Sequence, residues 1–291
     1  MKNTWLGSIY LALAASIWGG MYVVVKVVVS VIPPMELVWM RYVVALAALV
    51  AIGLITRQKW RIHKRHFLLI IAIGVIGNAI SIVAQETGTM LSSAQTGAMI
   101  TSSTPAFMVI FARLLLKERL TVKKGLSVCL ATIGVLLIVG VDHVNSSSKL
   151  GGISLLAAAL TWALMSVLVK RVPGDYSQIV VTTYSILVAL IVLTPFVLGR
   201  LPALPASQLA HPAIWGGLLY LGVVSTAGGF LLWNRGLQML NASSGGLFFF
   251  FQPVVGTLLG WIILGERIGA TFWIGSVLIV GGVLFVINEK S

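Results

Sequence analysis

Charge is what this chain has least of. Charged residues are 9% of 291, and only 7 residues are acidic. A soluble domain carries about 25% charged residues, so water is not the main surroundings of the folded chain. Cysteine is nearly absent: Cys129 stands alone, which excludes an intrachain disulfide and a cysteine metal cluster. Of the four histidines, His63 and His66 share one basic loop, where solvation is the simpler reading than metal ligation. No Ser/His/Asp set and no paired carboxylates can be placed together, so a membrane enzyme lacks its reactive cluster. No cofactor or metal is expected.

What is present is apolar. Hydrophobic residues make up 58% of the chain and the mean hydropathy is +1.03. A helix needs roughly 20 apolar residues to cross a bilayer. Segments of that kind cover 6–31, 35–55, 67–88, 92–115, 121–141, 151–170, 178–198, 212–233, 243–264 and 269–287. They are long and do not alternate strictly, so helices rather than barrel strands satisfy their backbone hydrogen bonds. Pro33-Pro34 parts the first two segments, the polar Asp142–Lys149 parts two halves, and Arg200–His211 with its prolines is a loop. Met1–Ile17 begins like a signal peptide, but its apolar run continues to Val31, too long for an h-region.

The halves resemble each other. Leu11–Lys26 lies over Leu155–Lys170, matching Trp18 to Trp162, Met21 to Met165 and Lys26 to Lys170. Farther on, Ala94, Gly97, Pro105 and Leu116–Arg119 are matched 148 residues later by Ala242, Gly245, Pro253 and Leu264–Arg267. The units expected are 6–141 and 151–288. Duplicated membrane halves are a usual construction of secondary transporters.

The net charge of +13 suggests nucleic acid until the charges are placed. With the N-terminus inside, only Lys149, Arg200 and Arg267 of the 20 Lys and Arg fall outside. Lys26 and Arg41 lie within segments, and the rest are on the inner side. This is a positive-inside pattern; it implies cytoplasmic termini in a cell membrane and leaves no part for nucleic acid. Five segments separate the copies, an odd number, so the second half is inverted relative to the first. The expected fold is an all-α membrane protein of ten transmembrane helices in two inverted five-helix repeats, with alternating access about a midplane site.

Trp18-Gly19 then Lys26, Arg41, Pro105 followed by Leu115–Arg119, and Ile133-Gly134-Val135 mark the first half. Trp162, Lys170, Pro253, Leu264–Arg267 and Gly281-Gly282-Val283 mark the second. In this order the chain resembles the drug/metabolite transporter superfamily, and within it the ten-span EamA family of amino-acid and metabolite exporters. The resemblance implies export of a small amphipathic metabolite such as an amino acid, with the fifth and tenth segments as outer support. A lipid or drug flippase of the same fold is the alternative. The second half departs from the pattern in lacking an equivalent of Arg41, where Ser185 or a neighbour stands.

Candidate substrate-binding residues follow from the matched polar and aromatic positions: Trp18, Tyr22, Asn78, Thr101, Ser102, Trp162, Ser166, Thr226 and Gln252. Trp18, Tyr22 and Lys26 share a helix face, copied by Trp162, Ser166 and Lys170. Small polar groups in a membrane also serve simply to join helices. Pro105 and Pro253 should kink their helices and free carbonyls. Of Phe248–Phe251, only one or two can face inward, because successive helical residues point about 100° apart. Lys26, Glu36, Arg41 and Glu86 are the buried-charge candidates. Arg41 needs an acid, Glu36 or Glu86, and the set reads as an outer gate, a proton-coupling device, or static pairing and snorkelling. Gly256 and Gly260 suit packing within the chain or dimerisation. The partners expected are a small-molecule substrate and the bilayer, with a monomer or weak homodimer.

Overall fold

The computed structural model describes residues 4–92, 94–139, 149–204, 209, 211–264 and 269–287. The Asp142–Ser148 connection, Gly265–Arg267 of the second motif, and Lys2 and Lys290 lie outside the described residues. Those described are helical, without strands. Six helices are long and apolar enough to cross a membrane: α1 (Thr4–Val28), α2 (Pro34–Ile55), α3 (Lys64–Leu91), α7 (Lys149–Lys170), α8 (Gln178–Val197) and α9 (Pro212–Met239). Between and after them run α4 (Ala94–Thr101), α5 (Thr104–Leu116), α6 (Val122–Val139), α10 (Ala242–Gly246), α11 (Phe251–Leu264) and α12 (Ala270–Ile287).

Local sequence explains the breaks. Pro33 and Pro34 stand at the N-cap and first turn of α2, where a missing N–H costs nothing. The fourth apolar segment splits at Ser102-Ser103 because Pro105 can sit in the first turn of α5 but cannot continue α4. In the ninth segment, α10 passes through a 3₁₀ turn, Leu247–Phe250, so Pro253 falls in the first turn of α11 rather than mid-helix. The helix α5 ends on Lys117, a non-glycine residue in the left-handed region at φ 56°. The following Glu118 then caps α10: its carboxylate accepts from the Ala242 N–H at 2.8 Å and the Ser243 N–H at 3.2 Å. The Leu-Lys-Glu-Arg motif of the first half thus ties the end of α5 to the start of α10.

Each helix divides its faces between core and lipid. On α7, Leu155, Ala158, Ala159 and Trp162 are buried, while Ile153, Leu156 and Leu160 are exposed. Exposed apolar side chains recur on α1, α3, α5, α8 and α12, more than a water-soluble monomer tolerates. The helices α6 and α12 pair with each other, the Ser127 hydroxyl donating to the Gly282 carbonyl at 2.6 Å.

Two π-helical stretches occupy matched places, Ile73–Ser81 in α3 and Tyr220–Gly228 in α9. A glycine in each allows a close crossing. A Cβ on Gly74 would lie 2.6 Å from the Ser185 carbonyl, and one on Gly222 would lie 3.0 Å from the Arg41 carbonyl. Ser185 and Arg41 are themselves matched positions, so the crossings of α3 with α8 and of α9 with α2 are copies. Gly256 of α11 rests on the Gly19 backbone of α1, which is packing within the chain.

Candidate functional site

The center of the bundle holds a cavity walled by α1, α2, α3, α4, α5, α7, α9 and α11, with the 3₁₀ turn before α11. One wall is aromatic. Trp18 and Trp162 meet edge to face with centroids 5.2 Å apart, Phe249 lies 5.7 Å from Trp18, and Phe230 lies 5.1 Å from Trp162. The polar lining is Tyr22, Arg41, Gln85, Thr101, Thr104 and Gln252. Small and aliphatic side chains, Met21, Ile82, Ala158 and Ala159, fill the remainder. The space measures about 380 Å³, yet admits the center of a water molecule over only about 20 Å³. That is room for about one water, so the space is narrow.

Some wall groups are fully committed. The Tyr22 hydroxyl meets Thr101 Oγ1 at 2.6 Å, and Thr101 in turn donates to the Gly97 carbonyl, which fixes Tyr22 as donor. Trp18 Nε1–H donates to the Ser225 carbonyl at 2.9 Å. Arg41, fully buried, donates to Glu86 Oε1 at 2.5 Å, Thr226 Oγ1 at 2.9 Å and Ser225 Oγ at 3.2 Å. Three wall groups have no partner: Trp162 Nε1, Thr104 Oγ1 and Gln252 Oε1 are buried without a hydrogen bond. Glu86 Oε2, behind Arg41, is also unpartnered. Each such group costs about 1–3 kcal/mol, so a cluster on one cavity is a site prepared for a donor and an acceptor from elsewhere.

The candidates therefore separate. Trp18, Tyr22, Thr101, Trp162 and Gln252 line the cavity together. Asn78, Ser102, Ser166 and Thr226 stand away from it. Asn78 donates to Ser185, Ser102 to the Ala98 carbonyl, Ser166 accepts from Trp233, and Thr226 accepts from Arg41. Asn78, Ser166 and Thr226 join helices, whereas the Ser102 bond stays within its own helical turn. Pro105 lies beside cavity residue Thr104, and Pro253 beside Gln252. Among Phe248–Phe251, only Phe249 faces the cavity, while Phe248 and Phe250 are buried among neighbouring helices.

The charge candidates resolve into three devices. Arg41 takes Glu86. Glu36 faces Arg200 at 3.9 Å, at the opposite end of the bundle from the 57–66 loop. Lys26 donates to the carbonyls of Thr89, Met90 and Ser92, the last turn of α3. Its copy Lys170 donates to the carbonyls of Leu237 and Leu240, the last turn of α9. A lysine on carbonyls that have lost their helical partners is a C-terminal cap.

Gln85, Thr104, Phe230 and Phe249 complete the wall beyond the candidates named from sequence. A signal for three of them existed in the repeat. Ile82 and Phe230, Thr101 and Phe249, and Thr104 and Gln252 are each 148 residues apart, and all six line the cavity.

A bundle of apolar helices around a cavity lined by aromatic and polar side chains suits a multi-pass membrane transporter. The chain belongs to the EamA-like transporter family, whose model matches residues 5–140 and again 149–288. It is 29% identical to the uncharacterized transporter YyaM of Bacillus subtilis, over 91% of this chain and 88% of that one. It is 26% identical to an uncharacterized transporter of Archaeoglobus fulgidus, over 97% of this chain and 99% of that one. A stretch of 73 residues, 25% of this chain, is 79% identical to the permease-like protein YdzE of Bacillus subtilis and covers 94% of it. A crystal structure 19% identical superposes with a TM-score of 0.76, covering 96% of this chain and 97% of that one. At that identity the likeness is one of fold alone.

Proposed function

We propose that this protein is a secondary exporter of a small amphipathic metabolite of the amino-acid type. Ten membrane-spanning segments in two inverted repeats would alternate access about the central cavity. The observation that carries the reading is the set of unpartnered atoms on one amphipathic cavity: the Trp162 N–H, the Gln252 carbonyl oxygen and the Thr104 hydroxyl. A substrate bearing both donor and acceptor groups on a short apolar body would satisfy all three while its body lies on Trp18, Trp162 and Phe249. Such a division of a few polar anchors on a mostly apolar wall is usual for small-molecule sites. In this reading the narrow cavity is one stage of the cycle, and the Arg41–Glu86 pair beside it parts and reforms as the site changes sides.

Counterflow into liposomes loaded with one amino acid and challenged with a labelled panel tests the substrate class. Exchange of at least one neutral amino acid is expected, with its rate reduced about tenfold or more by Gln252→Leu; a panel without exchange removes the reading. In this reading 57–66 and both termini lie in the cytoplasm of a cell-membrane protein. The 57–66 loop packs on the loop before α8, the Tyr176 hydroxyl accepting from the His63 N–H at 3.1 Å, which supports a shared face for these two loops. In a Cys129→Ala background, an impermeant thiol reagent on intact cells should label a cysteine placed at Asn145 and spare one placed at Lys59. The opposite pattern reverses the orientation.

A further inference from the structure

A second cavity lies outside the central one, at the end of the bundle where α1 begins, α9 ends and the loops before α3 and α8 meet. It is a groove of about 1300 Å³ between Tyr10 of α1, the 174–178 turn and the outer flank of α9. We propose that this groove binds the headgroup of a phosphatidylethanolamine molecule of the surrounding bilayer.

Depth is the first argument. Arg235 lies on the groove four residues before Met239, the end of α9. At 1.5 Å per residue this is about 6 Å from the helix end, the level of lipid phosphates rather than of acyl chains. Leu231 and Leu232, one turn earlier on α9, give the same groove an apolar part.

Chemistry is the second. Arg235 is exposed and, among the described residues, has no hydrogen bond or ion pair. Arg41, Arg171 and Arg200 all have acceptors within the chain. Gln178 Oε1, also on the groove, is buried without a donor. Asp175 stands on the same rim, exposed and without an ion pair among the described residues. The groove therefore offers a cation for a phosphate, and an acid plus an amide oxygen for a group that donates N–H bonds. A phosphate joined to a primary ammonium by two carbons supplies both. Phosphatidylglycerol would leave Asp175 facing a net negative headgroup. Phosphatidylcholine has no N–H and would leave Gln178 Oε1 unsatisfied, a loss of the kind that polar sites discriminate against. The matched position in the first half is Thr87, so the site belongs to one half and to one leaflet.

The test uses the full chain in nanodiscs of equal phosphatidylethanolamine, phosphatidylglycerol and phosphatidylcholine. These are extracted into mild detergent, and the retained lipids are counted by native mass spectrometry. The expected result is one retained lipid per chain, phosphatidylethanolamine over each of the others by about tenfold. Arg235→Gln should abolish retention. Gln178→Leu should leave the protein intact and erase the preference over phosphatidylcholine. Retention in bulk proportions, preferential retention of phosphatidylglycerol, or retention unchanged by Arg235→Gln would each overturn the proposal. So would displacement of the lipid by millimolar soluble phosphoethanolamine, which would assign the groove to a free solute.

Discussion

The two halves of this transporter agree where they build and differ where they face the cavity. Lys26 and Lys170 cap the ends of α3 and α9 in the same way. The π-helical stretches, the glycine crossings and the helix-starting prolines are also shared. At the cavity the copies part. The first half supplies Trp18, Tyr22, Arg41, Gln85, Thr101 and Thr104, and the second supplies Trp162, Phe230, Phe249 and Gln252. Thr101 has become Phe249 and Ile82 has become Phe230, so the first half contributes most of the polar lining and the second most of the aromatic lining. A duplicated frame can thus keep its structural devices in common while the lining of its cavity diverges.

The strongest way to break the comparison is at Arg41. Its copy, Ser185, only accepts from Asn78 and donates to the Thr182 carbonyl. Glu86→Ala leaves a fully buried guanidinium without its acid and should cost about 3–5 kcal/mol, read as a large fall in unfolding temperature in detergent. Ser185→Ala should cost about 1 kcal/mol. The pair Arg41→Met with Glu86→Leu should recover most of the stability. If it also recovers transport, the ion pair is static, and if transport stays lost, the pair takes part in opening the site.

The tryptophans divide function from stability. Phenylalanine keeps one aromatic ring and removes the pyrrole part with its N–H, so both variants lose the same ring volume and differ in the hydrogen bond. Trp18→Phe loses the bond to Ser225 and should cost about 1 kcal/mol of stability. Trp162→Phe loses ring volume but no bond among the described residues, so it should destabilise by about 1 kcal/mol less than Trp18→Phe while counterflow falls several-fold. Equal effects of the two variants on transport and stability would remove the distinction between them.

The lysine caps offer the smallest and most symmetric effect. Lys26→Met and Lys170→Met should each destabilise by about 1 kcal/mol, by similar amounts. A large disparity in their unfolding temperatures would show that one of them does more than cap a helix.

Much of the frame was legible because membrane physics leaves few options. Apolar length marks the segments, and the prolines mark their breaks. The repeat was visible in Trp18/Trp162 and Lys26/Lys170. Arg41 demanded an acid, but two were available; only packing assigns Glu86 to it and Glu36 to Arg200. Asn78 and Thr226 sat at matched polar positions, yet both lie in π-helical stretches. An extra residue per turn changes the direction in which each side chain leaves the helix, and both point to neighbouring helices instead of the cavity. Ser166 follows the face of Trp162 by one turn, but Trp233 claims its hydroxyl.

By itself, the amino-acid order determined a helical, duplicated, multi-pass membrane chain, because backbone groups in lipid must bond within their own segment and apolar length is read directly from composition. Tertiary structure alone decided which polar groups are spent on neighbouring helices and which are left for a ligand. Trp18 and Trp162 are identical residues at matched positions, and one N–H is bonded to Ser225 while the other is unpartnered. That difference depends on the rotation and closeness of helices far apart in the chain, which no local pattern encodes.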